Sequence, residues 1–318
     1  MSNQVHPSQA AIIGSGMIGR AWSIVFARAG WQVRLYSRSM AQAGVALQRV
    51  STTLSDMAEA GLLDESPAAV ASRILPTDSL ERACTGSKLA VENIPETLEL
   101  KRQVFTELDA LCPPDAVLAS STSWLPASSF TESVPGRHRC LVAHPTNPPN
   151  LVPLVEVCPA PWTSPECVNQ AMSIFTSVGQ QPVLVRREIH GFLLNRIQGA
   201  VLNEVLNLFE QGFASTADLD KVMKYGLGLR WSFMGPLETI DLNAPKGVID
   251  YAARYGETYS AVGKTQGANG WSPKVMAKIE LERRQVLPED QLAERGRWRD
   301  QRLMALRAHQ RRQEEGAG

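Results

Sequence analysis

Ala10-Ala-Ile-Ile13-Gly14-Ser-Gly16-Met17-Ile18-Gly19-Arg20-Ala-Trp22-Ser-Ile-Val-Phe26-Ala is the stretch that decides the fold. Four apolar residues suit a short buried strand, and the run after Gly19 has its apolar residues at helical spacing. Between them stands a GxGxxG pattern, weak by itself but informative between a strand and a helix. There Gly14 makes the tight turn, Gly16 lets backbone amides approach a pyrophosphate, and Gly19 lets the helix pack on the strand. The helix N-terminus supplies donors and positive potential for phosphates. A glycine-rich turn without a ligand is the plainer reading, and the strand-turn-helix context favours the binding one. Gly14, Gly16, Met17, Ile18 and Gly19 are therefore candidate dinucleotide contacts.

Further short apolar runs alternate with amphipathic stretches up to residue 190. Strands are expected at 10–13, 31–36, 89–92, 116–120, 140–143, 154–157 and 182–185, and helices at 17–29, 41–60 and 97–111. Such alternation indicates an α/β domain, a Rossmann-type doubly wound, mostly parallel sheet covered on both faces. After Gly191 apolar residues recur at helical spacing (Phe192, Ile197, Val201, Val205, Leu208) and strand signals stop. Residues 1–190 then form the dinucleotide-binding domain and 191–318 an all-α C-terminal domain. The charged stretch 273–313 reads as a solvated helical face.

The second strand should end in the residue that reads the adenine ribose, and that residue is Ser37, followed by Arg38 and Ser39. An acid there would bond the ribose hydroxyls and repel a 2′-phosphate, whereas two hydroxyls and a guanidinium suit one. The cofactor is thus NAD or NADP, with NADP slightly favoured. Arg38 extending into solvent is the competing reading.

Lys plus Arg and Asp plus Glu both total 32, so no charge bias argues for nucleic acid or a membrane surface as partner. Five cysteines show neither CxxC nor Cys/His ligand spacing, which argues against a disulfide framework and against a metal site. They read as reduced thiols of a cytoplasmic protein. No apolar run approaches the roughly 18 residues a membrane helix needs.

His144 and Glu156 flank a proline-rich turn between two apolar runs. Histidine suits proton exchange near neutrality, and a carboxylate behind it fixes its tautomer. The pair looks like a general base and its orienter. Glu156 would be costly to bury unpaired.

The Gly14-to-Gly19 start, Ser120-Ser-Thr-Ser123, His144-Pro-Thr-Asn-Pro-Pro149 with Pro153-Leu-Val-Glu-Val157, and Gly191-Phe-Leu-Leu-Asn195-Arg196 resemble the 3-hydroxyacyl-CoA dehydrogenase superfamily. Arg230-Trp-Ser-Phe-Met-Gly235-Pro and Arg297-Trp298-Arg-Asp300 are most similar to its lambda-crystallin / L-gulonate 3-dehydrogenase branch, with carnitine dehydrogenases a near neighbour. The resemblance implies that His144 removes the proton of a 3-hydroxyl while hydride leaves the same carbon, and that Glu156 orients it. It implies that Ser123 bonds the reacting oxygen, that Asn195 holds substrate, and that Glu96 and Lys101 lie near the nicotinamide ribose. Ser123 as a cap of a helix near Pro126 is the structural alternative. The implied partner is a small 3-hydroxy acid, L-gulonate favoured, with a homodimer formed through the helical domain. Alternatives are a 3-hydroxyacyl-CoA or carnitine substrate, or a non-catalytic crystallin-like protein. Residues 51–79 are long enough for a CoA-cradling helical hairpin, but Arg73 is the segment's only Arg or Lys.

Overall fold

The computed structural model describes residues 8–267 and 271–316. They fall into two compact units, Met1–Leu194 with Gly296–Gly318, and Asn195–Arg295.

The first unit is built on one sheet of β1 (Gln9–Ile13), β2 (Gln32–Tyr36), β3 (Ile74–Thr77), β4 (Leu89–Glu92), β5 (Val117–Ser120), β6 (Cys140–Pro145), β7 (Leu154–Pro159) and β8 (Gln181–Leu184). Their order is β3-β2-β1-β4-β5-β6-β7-β8, and only β6 and β7 pair antiparallel. The helices are α1 (Met17–Arg28), α2 (Met40–Glu59), α3 (Pro67–Ala71), α4 (Leu80–Cys84), α5 (Leu98–Leu111), α6 (Ser128–Thr131) and α7 (Pro165–Ser177). Successive side chains of β1 go to opposite faces: Ala10 and Ile12 join a core with Trp22, Phe26, Leu54 and Phe175, while Ala11 and Ile13 join one with Phe105, Leu108 and Phe130. A strand buried on both faces reads as a continuous apolar run, which is why Ala10 to Ile13 carries no polar residue.

Register aligns the strand ends. Ile13 pairs with Tyr36 on one side and Glu92 on the other, and Glu92 pairs with Ser120. Gly14, Ser37, Asn93 and Ser121 therefore leave the sheet along one edge, with β1 at the switch point between β2 and β4. Open α/β sheets bind ligands at that place.

Two differences from the sequence reading concern this unit. β3 is a strand that the reading lacked; it has four residues, contains Pro76, and lies at the sheet edge, where proline is tolerated and the apolar pattern is weakest. Residues 51–79 consequently form no hairpin of paired long helices: they hold the end of α2, the five-residue α3 and β3. The second difference is the domain division. The terminal segment, assigned by sequence to the helical half, groups with the sheet from Gly296 onward, because Met304 is buried in the same core as Trp22 and Phe175.

The second unit holds α8 (Leu194–Glu210) from its second residue, α9 (Thr216–Lys221), α10 (Gly228–Trp231), α11 (Pro236–Leu242), α12 (Val248–Gly263), α13 (Pro273–Val286) and the first turn of α14 (Leu292–Gly316), with no strand among its described residues. Ser215 caps α9 by accepting from the Asp218 amide at 3.2 Å. Glu282 of α13 accepts from the amide and hydroxyl of Thr216 at 3.1 and 2.8 Å, which ties α9 to α13.

Candidate active site and dinucleotide loop

The β6–β7 register places His144 directly opposite Glu156. Directly paired residues of an antiparallel ladder share a face, so twelve residues of chain bring imidazole and carboxylate together. His144 Nδ1 lies 2.8 Å from Glu156 Oε2. Glu156 Oε1 accepts the backbone amides of Leu193 and Leu194 at 2.7 and 2.9 Å, where α8 begins. The carboxylate is 1% exposed and the histidine 5%. A buried charge of this kind needs opposing dipoles and donors, and it has two amides at a helix start plus the imidazole. Gly191 and Phe192 both adopt left-handed backbone, φ 78° and 48°, just ahead of those amides. That is costly for phenylalanine, whose ring is fully buried and lies 5.3 Å from the His144 ring. With Nδ1 donating to Glu156, the assigned tautomer leaves Nε2 as a proton acceptor.

Ser123 leaves the same sheet edge, three residues past the end of β5, whose Ser120 is in register with Val142 of β6. It does not cap a helix: α6 starts at Ser128, with Ala127 at the cap position. Glu96 organises this loop. It accepts from the Thr122 hydroxyl, from Ser123 N at 3.4 Å and from Trp124 N at 3.2 Å. Burial pushes its pKa up, but the Thr122 hydroxyl, the two amides and the Lys101 charge together hold it below the ordinary carboxylate value. Ser120 and Thr122 have structural partners. Thr122 Oγ1 accepts the Leu125 amide at 3.0 Å, and Ser120 donates to Glu92 at 2.6 Å.

Lys101 is enclosed rather than presented to a ligand. Its ammonium, 1% exposed, lies 2.8 and 3.0 Å from the two Glu92 oxygens and 3.3 Å from Ser120 Oγ. Those contacts occupy its three donors, so it reaches the loop through Glu92, a residue the sequence reading did not single out. Asn195 is the second residue of α8 and belongs to the second unit. His190 lies against Trp124, the rings tilted by 34° with centroids 5.7 Å apart.

The glycine loop fits a dinucleotide. Gly14 has φ +105°, and a Cβ there would lie 2.8 Å from the Asn93 carbonyl oxygen. A Cβ on Gly19 would fall 1.8 Å from the Gly14 carbonyl oxygen, so α1 can begin here only without a side chain. At Gly16 a Cβ would meet nothing within 4 Å: the protein leaves that space open, at the first residue before α1. Met17 is exposed there, and Ile18 packs against the core. Beside the loop is a cavity of about 440 Å³ lined by Ser15, Gly16, Gln42, Val45, Arg20 and Arg49 among others. Arg20 donates to the Ser15 carbonyl at 3.1 Å; burial, then the Arg49 charge, lowers its pKa. Ser37 is 3% exposed, with its hydroxyl 2.9 Å from that of Ser15. Arg38 is exposed, and Ser39 Oγ accepts the Gln42 amide as the α2 cap. The cations lining this cavity are thus Arg20 and Arg49. Arg20 adjoins Gly19 in sequence and could have been found there; Arg49, two turns into α2, carried no such signal.

Residues 9–189 match the family model for the 3-hydroxyacyl-CoA dehydrogenase NAD binding domain, and residues 191–277 the model for the C-terminal domain. A lambda-crystallin homolog of Bos taurus is 41% identical over 305 residues, 94% of this chain and 95% of that protein. An L-carnitine dehydrogenase of Pseudomonas sp is 32% identical over 302 residues, 95% and 93%. Among solved structures, FHMPC 5-dehydrogenase, an NAD+ dependent dismutase, aligns with TM-score 0.70 at 26% identity over 91% of this chain and 99% of that one. With the switch-point sheet, the glycine loop and both domain matches in place, the chain belongs to the 3-hydroxyacyl-CoA dehydrogenase family of NAD-dependent oxidoreductases.

Proposed function

We propose that this protein interconverts a 3-hydroxy acid and its 3-keto acid, with a polyhydroxy acid such as L-gulonate as substrate. The observation that carries this reading is the buried His144–Glu156 pair at 2.8 Å, its second carboxylate oxygen saturated by two amides. The bound nicotinamide supplies the hydride acceptor. The chain's part is the proton: Nε2 of His144 takes it from the substrate hydroxyl, and Glu156 stabilises the imidazolium that results. Ser123, in the same unit as the pair, donates to the reacting oxygen as charge builds on it, and the family resemblance gives Asn195 a substrate-holding role.

An acid rather than an acyl-CoA is favoured by residues 51–79. They offer only the five-residue α3 against the end of α2, and Arg73 donates to both Glu65 oxygens at 2.9 and 2.5 Å. The likeness to an L-carnitine dehydrogenase, whose named substrate is a free hydroxy acid, points the same way. The test is nicotinamide absorbance with a panel of L-gulonate, carnitine, 3-hydroxybutyrate and 3-hydroxybutyryl-CoA. Fastest turnover of the thioester would replace the acid reading; turnover of none would leave a non-catalytic crystallin-like role.

For the cofactor we favour NADP over NAD, on Ser37 in the place of an acid and on Arg20 and Arg49 beside the glycine loop. Charge-assisted bonds to a 2′-phosphate are each worth roughly 1.5–3 kcal/mol, so Arg20→Gln with Arg49→Gln should weaken NADPH by tenfold or more in fluorescence titrations and leave NADH unchanged. Tighter NADH binding by the parent protein would overturn the preference. A homodimer is supported by the apolar surface of the second unit, where Phe213, Phe233, Leu237 and Ile249 are 71–78% exposed in one chain. Sedimentation of the intact protein as a monomer at micromolar concentration would exclude it.

A further inference from the structure

A second cavity, of about 430 Å³, lies in the first unit, and its lining shares no residue with the glycine loop or with the His144–Glu156 pair. Three guanidiniums line it: Arg28 at the end of α1, and Arg307 and Arg311, one turn apart on α14. The two carboxylates of the lining are already committed. Asp64 Oδ1 pairs with Arg311 at 2.6 Å, and Glu65 is held by both arms of Arg73. Arg28 and Arg307 have neutral partners instead, the Asn150 carbonyl at 3.0 Å and the Gln310 amide oxygen at 2.9 Å. Each uses one of five N–H donors in these bonds, so most of their capacity remains for another acceptor. Burial, then the charges of Arg307 and Arg311, lowers the Arg28 pKa to about 10 against the opposing pull of Asp64. Like charges gathered around a concavity call for an anion. Its walls also include Leu62, Leu63, Val70, Leu151 and Val178, and its volume is several times what an inorganic ion fills.

We propose that this cavity is a binding site for an organic anion, a carboxylate or phosphate group on an apolar body, with Arg28 and Arg307 taking the charged group and Leu63, Leu151 and Val178 the body. Pro149, Asn150, Leu151 and Pro153 of the lining belong to the segment that joins β6 to β7. Arg28 already grips that segment at Asn150, so a ligand here bears on the strap between His144 and Glu156.

The experiment is isothermal titration of the intact protein with phenyl phosphate, phenylacetate, inorganic phosphate and benzyl alcohol. One or both aromatic anions should bind, which of them identifying the charged group, and benzyl alcohol should not. Arg28→Gln with Arg307→Gln should raise Kd roughly tenfold or more, whereas Arg20→Gln with Arg49→Gln should leave it unchanged. Leu63→Trp, which keeps both guanidiniums and fills the space, should abolish binding and serves if the double variant does not fold. Unchanged binding in both the double and the Leu63→Trp proteins, loss in the Arg20/Arg49 protein, equal affinity for inorganic and phenyl phosphate, or binding of neither aromatic anion would each overturn the proposal.

Discussion

Glu156 decides whether His144 can act as a base, because its two oxygens do different work: Oε2 meets the imidazole and Oε1 is fixed by the Leu193 and Leu194 amides. Glu156→Gln sets an amide N–H against one of those donors and loses the charge behind the imidazolium. The expected loss in kcat is about 10²–10⁴, the usual span for general acid–base catalysis, with KM changed much less; steady-state kinetics on the best substrate of the panel reads it. Glu96 makes a separate prediction through pH. Its folded pKa is depressed below the ordinary 4.5, so its stabilising contribution is present above that value and is lost as pH falls through the lowered folded pKa. Glu96→Gln should therefore melt below the parent protein at pH 7, and the gap in Tm should close as pH falls from 4.5 downward. A gap independent of pH would show that the carboxylate's charge is not what holds the Ser123 loop.

At the scale of the element, the turn into α1 separates folding from binding within one motif. Gly19→Ala drives a methyl to within 1.8 Å of the Gly14 carbonyl oxygen, a backbone clash that displaces the helix. It should lower Tm and abolish cofactor binding together. Gly16→Ala meets no protein atom and keeps an ordinary backbone at φ −64°; it should leave Tm within a degree or two while weakening the dinucleotide by at least about tenfold, because the methyl stands where backbone must approach the pyrophosphate. Thermal melts and cofactor titration of the two variants measure this contrast. The same element explains part of what sequence could reveal. Gly14, Gly16 and Gly19 were legible because their spacing reflects backbone geometry within six residues. β3 was not, since a four-residue edge strand containing Pro76 has almost no pattern of its own and is defined by pairing with β2.

On the scale of the whole molecule, the last helix returns to the first unit. Met304 is 4% exposed in the core that contains Trp22, Phe26 and Phe175. Met304→Ala should destabilise the protein by about 2–5 kcal/mol, the range for emptying such a site, as read by urea unfolding monitored through tryptophan fluorescence. If the segment were only a solvated face, as its charge density suggested, the change would stay within about 0.5 kcal/mol. The buried Glu92–Lys101 pair adds a second constraint on the first unit, joining β4, α5 and β5 through Ser120. The family resemblance implied a place near the nicotinamide ribose for Lys101, whereas its ammonium is enclosed. Its burial depends on Glu92, nine residues earlier, which only packing reveals.

The sequence by itself determined the glycine loop, the doubly wound sheet, the change to an all-helical stretch after Gly191, and the pairing of His144 with Glu156. Each is encoded locally or, for the pair, by two apolar runs and the turn between them. Only the tertiary structure decided that Phe192 and the start of α8 close around Glu156, that Glu96 shapes the Ser123 loop, that Lys101 is buried, that Arg20 and Arg49 share a cavity, and that Met304 joins the sheet's core. Those facts rest on contacts between segments far apart in the chain. A side chain's partners there are set by how elements pack, and neither periodicity nor spacing records that.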